Sequence, residues 1–205
     1  MKTAEALKIA GSLSNPSKMP CKGYSLPARH CKTGSKLRKV EGSVCSDCYA
    51  CKGCYQFPGV KACLENRYKA IRRQKWIDAM VALIQGSTKT KKFFRWHDSG
   101  DIQNVGHLAQ IVEVARRLPE VSFWLPTKER AILAQFKGSL PSNLVVRLSA
   151  SMVDQRVKFD GLTSTVHEVR GPRGFECPAP KTGGSCGSCR ACWNPDIKNI
   201  SYLKH

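Results

Sequence analysis

The stretch "KKFFRWHDSGDIQNVGHLAQIVEVARRLPEVSFWLPTKE", residues 91–129, decides the fold of this chain. It opens with "KKFFRWH", an aromatic and apolar run whose composition is typical of a β-strand. "VSFWLP" near its end has the same character. Between them, "NVGHLAQIVEVARRLP" places apolar side chains on one helical face before Pro119; these are Leu108, Ile111, Val112, Ala115 and Leu118. Strand, helix and strand in this order predict a right-handed crossover within a parallel sheet.

The same alternation continues on both sides of this stretch. Downstream, "TKERAILAQF" predicts a short helix, "NLVVRLSAS" a third strand and "TSTVHEV" a further strand. Upstream, apolar residues recur at helical spacing from about Val60 to Gly86, which predicts one helix that covers the sheet. We therefore expect an α/β fold, built as a partial parallel (β/α) barrel or as an open parallel sheet, with cysteine-rich loop segments at both ends.

The chain has 205 residues, which is enough to bury a substantial core in a single domain. Three stretches differ in composition. Residues 1–59 are rich in Gly, Pro, Ser, Lys and Cys and are expected to form loops. Residues 60–170 carry the α/β pattern. Residues 171–205 lose periodicity and are expected to form a compact loop that holds a second cysteine cluster.

Polar residues follow the predicted strands at the point where each strand ends, in "RWHDSGD", "LPTKE" and "LSAS". Because ligands of parallel α/β sheets bind at the carboxyl ends of strands, these segments predict a ligand site. The candidates are His97, Asp98, Ser99, Gly100, Asp101, Thr127, Lys128, Ser149 and Ser151. The alternative for Ser99 or Asp101 is an ordinary role in capping the helix that follows.

The eleven cysteines are an odd count, and their spacing is more typical of metal ligation than of a disulfide framework. "SVCSDCYACKGCYQF", residues 43–57, sets four of them three residues apart. Near the other end, Cys177 precedes a C-x2-C-x2-C run formed by Cys186, Cys189 and Cys192. Zinc sites favour separated cysteine pairs, whereas three thiolates at three-residue steps with a fourth from elsewhere are typical of iron–sulfur loops. Both a [4Fe–4S] cluster and zinc remain open on spacing alone.

The formal net charge is +19, from 34 Lys and Arg against 15 Asp and Glu. Such a field attracts polyanions and makes nucleic acid a candidate partner, although a solvated basic surface is the plain alternative. No apolar run approaches the length of a membrane span, and the segment "MKTAEALKIAG" lacks the apolar core of a secretory signal. We therefore expect no membrane partner and a cytoplasmic location.

Several motifs in order along the chain carry a family resemblance: "SLPARHC", "CSDCYACKGCY", "RWHDSGDI", "WLPTKE", "RLSAS" and "CPAP…CGSCRACW". Between about Leu26 and Trp193 they resemble the phage family called gene product eighty-eight, whose members are similar to degenerate radical S-adenosylmethionine proteins. For a phage-encoded chain the expected location is the host cytoplasm. The resemblance implies one or two [4Fe–4S] clusters, and S-adenosylmethionine as a second cofactor.

Carried over residue by residue, the resemblance implies two sets of metal ligands. These are Cys31, Cys45 and Cys48 in the first set, and Cys177, Cys186, Cys189 and Cys192 in the second. Cys21, Cys51, Cys54 and Cys63 are additions of this chain. Three ligands leave one iron open, as radical enzymes require for their cofactor, and "HDSGD" resembles the loop that holds the cofactor's amino group. The chain departs from the C-x3-C-x2-C run of those enzymes, so Cys51 or Cys54 could close the open position.

Three function classes fit these features. The first is an iron–sulfur protein of radical-enzyme ancestry that performs redox or radical chemistry on an anionic substrate, such as a nucleic acid or nucleotide. The second is a non-enzymatic nucleic-acid-binding protein stabilised by zinc or a cluster. The third is a small electron carrier, which requires a redox partner protein.

Overall fold

An open sheet of seven strands forms the centre of this computed structural model, which describes residues 1–88 and 92–204. The strands are β1 (Gly23–Tyr24), β2 (Phe93–Trp96), β3 (Ser122–Thr127), β4 (Leu144–Ser149), β5 (Thr163–His167), β6 (Phe175–Glu176) and β7 (Asn199–Leu203). Their order is β1-β2-β3-β4-β5-β7-β6, and each neighbouring pair is parallel. The predicted parallel α/β fold is confirmed in its open form, since the sheet does not close into a barrel.

Six α-helices accompany the sheet in the described part of the chain: α1 (Thr3–Ala10), α2 (Lys32–Leu37), α3 (Pro58–Ala70), α4 (Trp76–Ser87), α5 (Val105–Arg117) and α6 (Arg130–Gln135). Short 3-10 helices lie mainly beside the cysteines, at Ala28–His30, Tyr49–Cys51, Gly53–Gln56, Ala179–Thr182 and Ala191–Trp193. Within residues 1–88 and 92–204, no helix has the length and apolar character needed to cross a membrane.

The two faces of the sheet carry different cores because successive side chains on a strand point to opposite faces. Phe94, Trp96 and Phe123 pack in the larger core, which they share with α1, α4 and α5. Trp124 follows Phe123 on β3, so its side chain points to the opposite face of the sheet. There it packs with Val145 of β4 in a smaller core. Trp193 and Cys21 complete the smaller core, so the carboxyl-terminal segment covers the face opposite the helices.

The β2–α5–β3 unit forms as its sequence predicts. Apolar residues at three- and four-residue spacing bury one side of α5 against the sheet, and Asn104 caps the helix by accepting a hydrogen bond from the His107 N–H at 2.8 Å. Because Asn104 is the cap, Ser99 and Asp101 do not cap α5, and their side chains serve other contacts.

The single helix predicted from Val60 to Gly86 is wrong, because the segment forms two helices, α3 and α4, with a turn after Ala70. Ile71 and Trp76 are both buried. Five residues advance a straight helix by about 500°, which would set these two side chains about 140° apart. The turn between the helices lets both face the core, and the exposed run from Arg72 to Lys75 accommodates it.

The expectation that residues 1–59 form only loops is also wrong, since they include α1, β1 and α2. Helix α1 packs against α4 and buries Ala6 and Ala10, small residues that produce little hydrophobic periodicity. Arg67 on α3 and Arg73 in the turn after α3 hold the end of α1. Arg67 Nε donates to Ser12 O at 2.7 Å, and Arg73 Nη1 donates to Ile9 O at 2.6 Å.

Residues 171–205 form two strands, β6 and β7, in addition to the expected loop. After the cysteine run, β7 enters the sheet between β5 and β6, and Ile200 and Ser201 are fully buried there. Its sequence, "NISYL", is short and half polar, so it lacks the apolar run that marks the other strands. The cysteine segment is thereby tied to the sheet at both ends.

Replacing Gly100 by Ala should destabilise the chain. Gly100 has φ +78°, and an added Cβ would lie 2.6 Å from Leu26 Cβ and 2.7 Å from Leu26 O. We expect a loss of about 1–3 kcal/mol in the free energy of unfolding, measured by urea denaturation. The control is Gly86→Ala within α4, where an added Cβ meets no atom within 4 Å and helix propensity should raise stability by up to about 1 kcal/mol. Equal effects at the two positions would contradict this account.

Candidate functional site

A buried carboxylate joins two strand ends at the carboxyl edge of the sheet. Asp101 follows β2, and its Oδ1 accepts hydrogen bonds from Thr127 Oγ1 at 2.6 Å and from the Ile102 N–H at 2.8 Å. Its Oδ2 accepts from the Lys128 N–H at 2.8 Å. Burial raises the pKa of Asp101 to about 6, against the lowering effect of these three bonds. Asp101 therefore fixes the end of β3 and the position of the Lys128 main chain.

The next acidic residue, Glu129, connects β3 to the first cysteine. Its carboxylate accepts from both the N–H and the hydroxyl of Thr33, each at 2.8 Å, in the first turn of α2. Cys31 is the residue from which α2 starts. Glu129 is 4% exposed, so this contact fixes the start of α2, and with it Cys31, against the end of β3.

Backbone pairing brings the second part of the amino-terminal cysteine loop to the end of β4. The Val44 N–H donates to Ser151 O at 2.9 Å, and the Val153 N–H donates to Gly42 O at 3.0 Å. These bonds form an antiparallel bridge one residue before Val44, at Ser43. Cys45 follows directly, so it is positioned beside the carboxyl ends of β3 and β4.

Cys31, Cys45 and Cys48, hereafter the amino-terminal set, come together at this edge. Cys31 and Cys45 flank Gly34: a Cβ built there would lie 3.6 Å from Cys45 Sγ and 3.7 Å from Cys31 Sγ. Burial raises the pKa of Cys31, and the nearby Asp101, Cys48 and Cys45 raise it further. The same Cβ would lie 3.0 Å from Cys31 Cβ, so the lack of a side chain at Gly34 lets both cysteines approach the backbone of α2 closely.

Lys128 is the cation of this group. Its ammonium donates to Ala150 O, one residue after β4. Burial lowers the pKa of Lys128, while Cys45, Asp101, Cys31 and Cys48 act in the opposite direction. Its charge in turn favours the thiolate form of Cys45, although burial has the larger effect and raises the pKa of that thiol.

Cys177, Cys186, Cys189 and Cys192, hereafter the carboxyl-terminal set, lie on the sheet face opposite the helices. Burial raises the pKa of Cys192 to about 11, and the charges of Cys177 and Cys186 contribute. Burial also raises the pKa values of Cys186 and Cys177, and the charge of Cys189 raises both further. The four thiols are therefore within electrostatic reach of one another. Cys192 Sγ also lies 3.2 Å from the hydroxyl of Tyr202 on β7.

Arg147 fastens this set to the sheet. It extends from β4 and is 0% exposed, and its guanidinium donates to four main-chain carbonyls, those of Ala191, Cys192, Asn194 and Ile197, at 2.7–3.3 Å. Trp193 adds a hydrogen bond from its indole N–H to Phe94 O at 3.0 Å. A charged residue in the middle of the apolar run "LVVRLS" was a visible signal for this contact, which the sequence interpretation missed.

Arg95 on β2 lies between the two cysteine sets. Its guanidinium stacks over the Trp124 ring, 4.6 Å from the centroid. Burial raises the pKa of Tyr49 in the amino-terminal loop and the pKa values of Cys186 and Cys192. The charge of Arg95 opposes that rise at all three residues. Arg95 therefore connects the carboxyl-terminal set with the loop that carries the amino-terminal set.

The remaining sequence-predicted residues divide into those near the cysteines and those in the core. Asp98 Oδ2 accepts from the Tyr55 hydroxyl at 2.8 Å, and its carbonyl accepts from the Tyr49 hydroxyl of the cysteine loop. Ser149 accepts from Ser164 Oγ at 3.0 Å at the end of β4. Ser99 and Gly100 instead make close contacts with Leu26 after β1.

His97 does not lie among the cysteines. It is 3% exposed, has a left-handed backbone with φ 53°, and its ring centroid is 5.5 Å from that of His107 on α5. In the described part of the chain, both ring nitrogens of His97 and Nε2 of His107 are buried without a hydrogen-bond partner. A cavity of about 270 Å³ beside His107 is lined by none of the cysteines.

The described residues include no group of three or more His, Cys, Asp or Glu side chains that could hold a metal ion. The two sets are thus groups of neighbouring thiols. They define an α/β protein with a parallel sheet that presents one cysteine group at its carboxyl edge and another on its helix-free face.

The chain belongs to the family described as gene product 88, whose model matches residues 1–195. The match includes all eleven cysteines, and it confirms the family resemblance drawn from the motifs. No curated protein and no solved structure matches the chain.

Burial of His107 should make stability depend on pH. Desolvation lowers its pKa to about 3, from an ordinary value of about 6.5, with Arg72 contributing. Between these values the unfolded chain binds a proton that the folded chain does not, so stability is lost as pH falls from about 6.5 towards 3. Wild type should lose up to about 1.4 kcal/mol more per pH unit than His107→Gln, measured by urea denaturation. Asp101 remains in both proteins, so its contribution cancels in the difference. Burial keeps the pKa of His97 low in both proteins, and the charge of His107 adds to that lowering in the wild type. Equal slopes would contradict a neutral His107.

Proposed function

We propose that this protein binds iron–sulfur clusters, with the amino-terminal set and the carboxyl-terminal set as ligands, and that it performs redox or radical chemistry on an anionic substrate. The observation that carries the proposal is the gathering of Cys31, Cys45 and Cys48 from two separate chain segments beside Lys128. We expect this chemistry in the host cytoplasm, with a redox partner protein that supplies electrons.

The sequence spacing of the thiols supports a cluster over a single zinc ion. Four thiolates around one zinc ion, with Zn–S bonds of about 2.3 Å, are about 3.8 Å apart. Thiolates of a cubane bind different irons and therefore lie farther apart. A cluster held by Cys31 and Cys45 would lie close to the backbone of Gly34, which has no side chain to keep it away.

S-adenosylmethionine is the proposed second cofactor. A [4Fe–4S] cluster with one open iron supplies an electron and a binding position for the cofactor's amino and carboxylate groups. Near the amino-terminal set, Asp98 Oδ1 is buried and has no hydrogen-bond partner among the described residues, so it can accept from an amino group. Tyr55 holds the other carboxylate oxygen and would keep Asp98 oriented. Lys128 offsets the negative charge of the thiolates.

Anaerobically purified protein should be brown and contain iron with acid-labile sulfide. Replacing Cys45, Cys186 or Cys189 by Ser should remove a large part of the iron and lower the melting temperature, because each thiolate supplies a cluster bond and bound metal stabilises the fold. Cys63→Ser is the matched control, since Cys63 lies on α3 beside Ser12 and outside both sets. Colourless protein with stoichiometric zinc would overturn the proposal in favour of a zinc-stabilised binding protein.

A second candidate function is binding of nucleic acid or another polyanion, which the net charge of +19 favours. The basic run "RYKAIRRQK", residues 67–75, covers the end of α3 and the turn after it. It contributes less surface charge than its sequence suggests, because Arg67 is 5% exposed and donates hydrogen bonds to Ser12 and Ser14. Lys69 and Lys75 remain exposed. Lys92, in the second basic run "KTKK", is exposed as well, whereas Lys89 and Lys91 of that run lie outside the described residues.

Affinity for single- or double-stranded nucleic acid should fall steeply with the logarithm of salt concentration. Lys69→Gln combined with Lys75→Gln should weaken binding and reduce the salt slope by about 1–2, if the α3–α4 turn makes the phosphate contacts. A double replacement of Lys2 and Lys8, exposed lysines of the amino-terminal segment, serves as the control. Negligible binding at low ionic strength would exclude this candidate.

A further inference from the structure

A cavity of about 270 Å³ lies where the start of α5 meets the turn after α3. Its wall is mostly polar, and none of the described residues that line it is acidic; they are Ile71, Arg72, Asn104, Gly106, His107 and Gln110. Pockets for drug-sized ligands occupy about 300–1,000 Å³, so this cavity suits a small polar group.

Arg72 is the cation of this cavity, and its side chain is held in position. The guanidinium lies over the Tyr68 ring, 4.4 Å from the centroid, and its Nη1 donates to Tyr68 O at 2.9 Å. A guanidinium carries several N–H donors in a rigid fork, so the remaining donors stay available to a ligand. The contact with Tyr68 therefore orients a positive charge at the wall.

The first turn of α5 adds a main-chain donor. The first N–H groups of a helix have no partner within the helix and carry a partial positive charge. Asn104 accepts from the N–H of His107, whereas the N–H of Gly106 has no acceptor in the part of the chain that the structure describes. Gly106 is exposed and lines the cavity, and it has no side chain to keep a ligand away from its backbone.

His107 gives an observation that is independent of the helix end. Its side chain forms part of the cavity wall, and the residue is 2% exposed. Nδ1 accepts from the Gln103 N–H at 3.3 Å, so a neutral ring carries its proton on Nε2. That nitrogen is buried without a hydrogen-bond partner among the described residues, an arrangement that a ligand with an acceptor oxygen would stabilise.

We propose that this cavity binds a phosphate group, with the Arg72 guanidinium, the N–H of Gly106 and the His107 ring as donors. Phosphate oxygens accept hydrogen bonds from several directions, which suits donors that come from a side chain on one segment and from a helix end on another. Gln110, one turn after Gly106 on α5, can donate from its amide at the same wall.

The lysines beside Arg72 favour the backbone of a nucleic acid as the source of this phosphate. Lys69 and Lys75 lie three residues before and three residues after Arg72, and both are exposed. A phosphate chain that enters the cavity would therefore meet further cations near the α3–α4 turn. This choice of ligand rests on the second candidate function, whereas the cavity itself would bind a free phosphomonoester by the same contacts.

The first experiment titrates four proteins with inorganic phosphate and follows the Gly106 amide resonance by NMR. These are wild type, Arg72→Gln, Gln110→Glu and the control Arg156→Gln, which removes the same charge from an exposed position outside the cavity. We expect a saturable shift in wild type and in the control. Arg72→Gln should raise the dissociation constant about tenfold or more, because it removes a charge-assisted hydrogen bond.

Gln110→Glu keeps the size of the side chain and adds a negative charge to the wall, so it should weaken phosphate binding as well. It keeps the test decisive where Arg72→Gln does not fold. Failure of phosphate to shift the Gly106 resonance of wild type would overturn the site. Equal affinity in wild type and in the folded cavity variants would overturn it too.

A second experiment distinguishes the two sources of phosphate. A single-stranded oligonucleotide without a terminal phosphate and adenosine monophosphate are each titrated into wild type and Arg72→Gln at several salt concentrations. For a backbone phosphate, Arg72→Gln should weaken oligonucleotide binding and reduce its salt slope by about 1.

Two other outcomes separate the cavity from the second candidate function. Binding of adenosine monophosphate without binding of the oligonucleotide would support the cavity as a site for free phosphomonoesters and exclude the nucleic-acid candidate. Equal oligonucleotide binding by wild type and Arg72→Gln, with no response of the Gly106 resonance to inorganic phosphate, would overturn the cavity and leave the nucleic-acid candidate in place.

Discussion

The carboxylate of Asp101 is the contact on which the carboxyl edge of the sheet depends. It joins the loop after β2 to the last residue of β3, and by accepting from the Lys128 N–H it sets the direction in which the chain leaves that strand. Glu129 then reaches Thr33, and α2 begins beside Cys31. One buried acid therefore positions, through consecutive residues, both the cation and a cysteine of the amino-terminal set. Its burial is expensive for a carboxylate, as the raised pKa of about 6 indicates, and three hydrogen bonds offset part of that cost.

The two cysteine sets are supported in different ways. The amino-terminal set comes from a loop that is held at its edges, by pairing with the end of β4 and by tyrosine hydroxyls on Asp98. The carboxyl-terminal set lies on a segment that Arg147 fastens from beneath through four carbonyl groups, and Trp193 fills the space next to it. The first arrangement leaves side chains at the mouth of the sheet where a ligand can reach them. The second resembles a structural anchor, since Cys192 is buried against Tyr202.

The sequence predicted the central β2–α5–β3 unit well because its apolar periodicity extends over a long helix and two aromatic strands. It failed where elements are short or built from small residues: α1 with its buried alanines, β1 with two residues, and β7 with half-polar composition. The cysteine motifs identified both thiol groups, yet the partners that position them were missed. Glu129 stood unnoticed beside Lys128 in "LPTKE", and Gly34 follows Cys31 by three residues, a spacing whose meaning depends on the fold of α2. Contacts that join residues almost one hundred positions apart, such as Thr33 with Glu129, have no local signature.

The short strands at the two edges of the sheet limit how another polypeptide can pair with it. Both outermost strands, β1 and β6, are only two residues long, and Ser14 already pairs with Gly23 beyond β1. A long strand at an edge offers a row of unsatisfied N–H and C=O groups to which another polypeptide can add. Here each edge offers at most a few such groups, and Gly174, with φ +75°, turns the backbone just before β6. Short edge strands therefore give another polypeptide little to pair with, without the closure that a barrel would require.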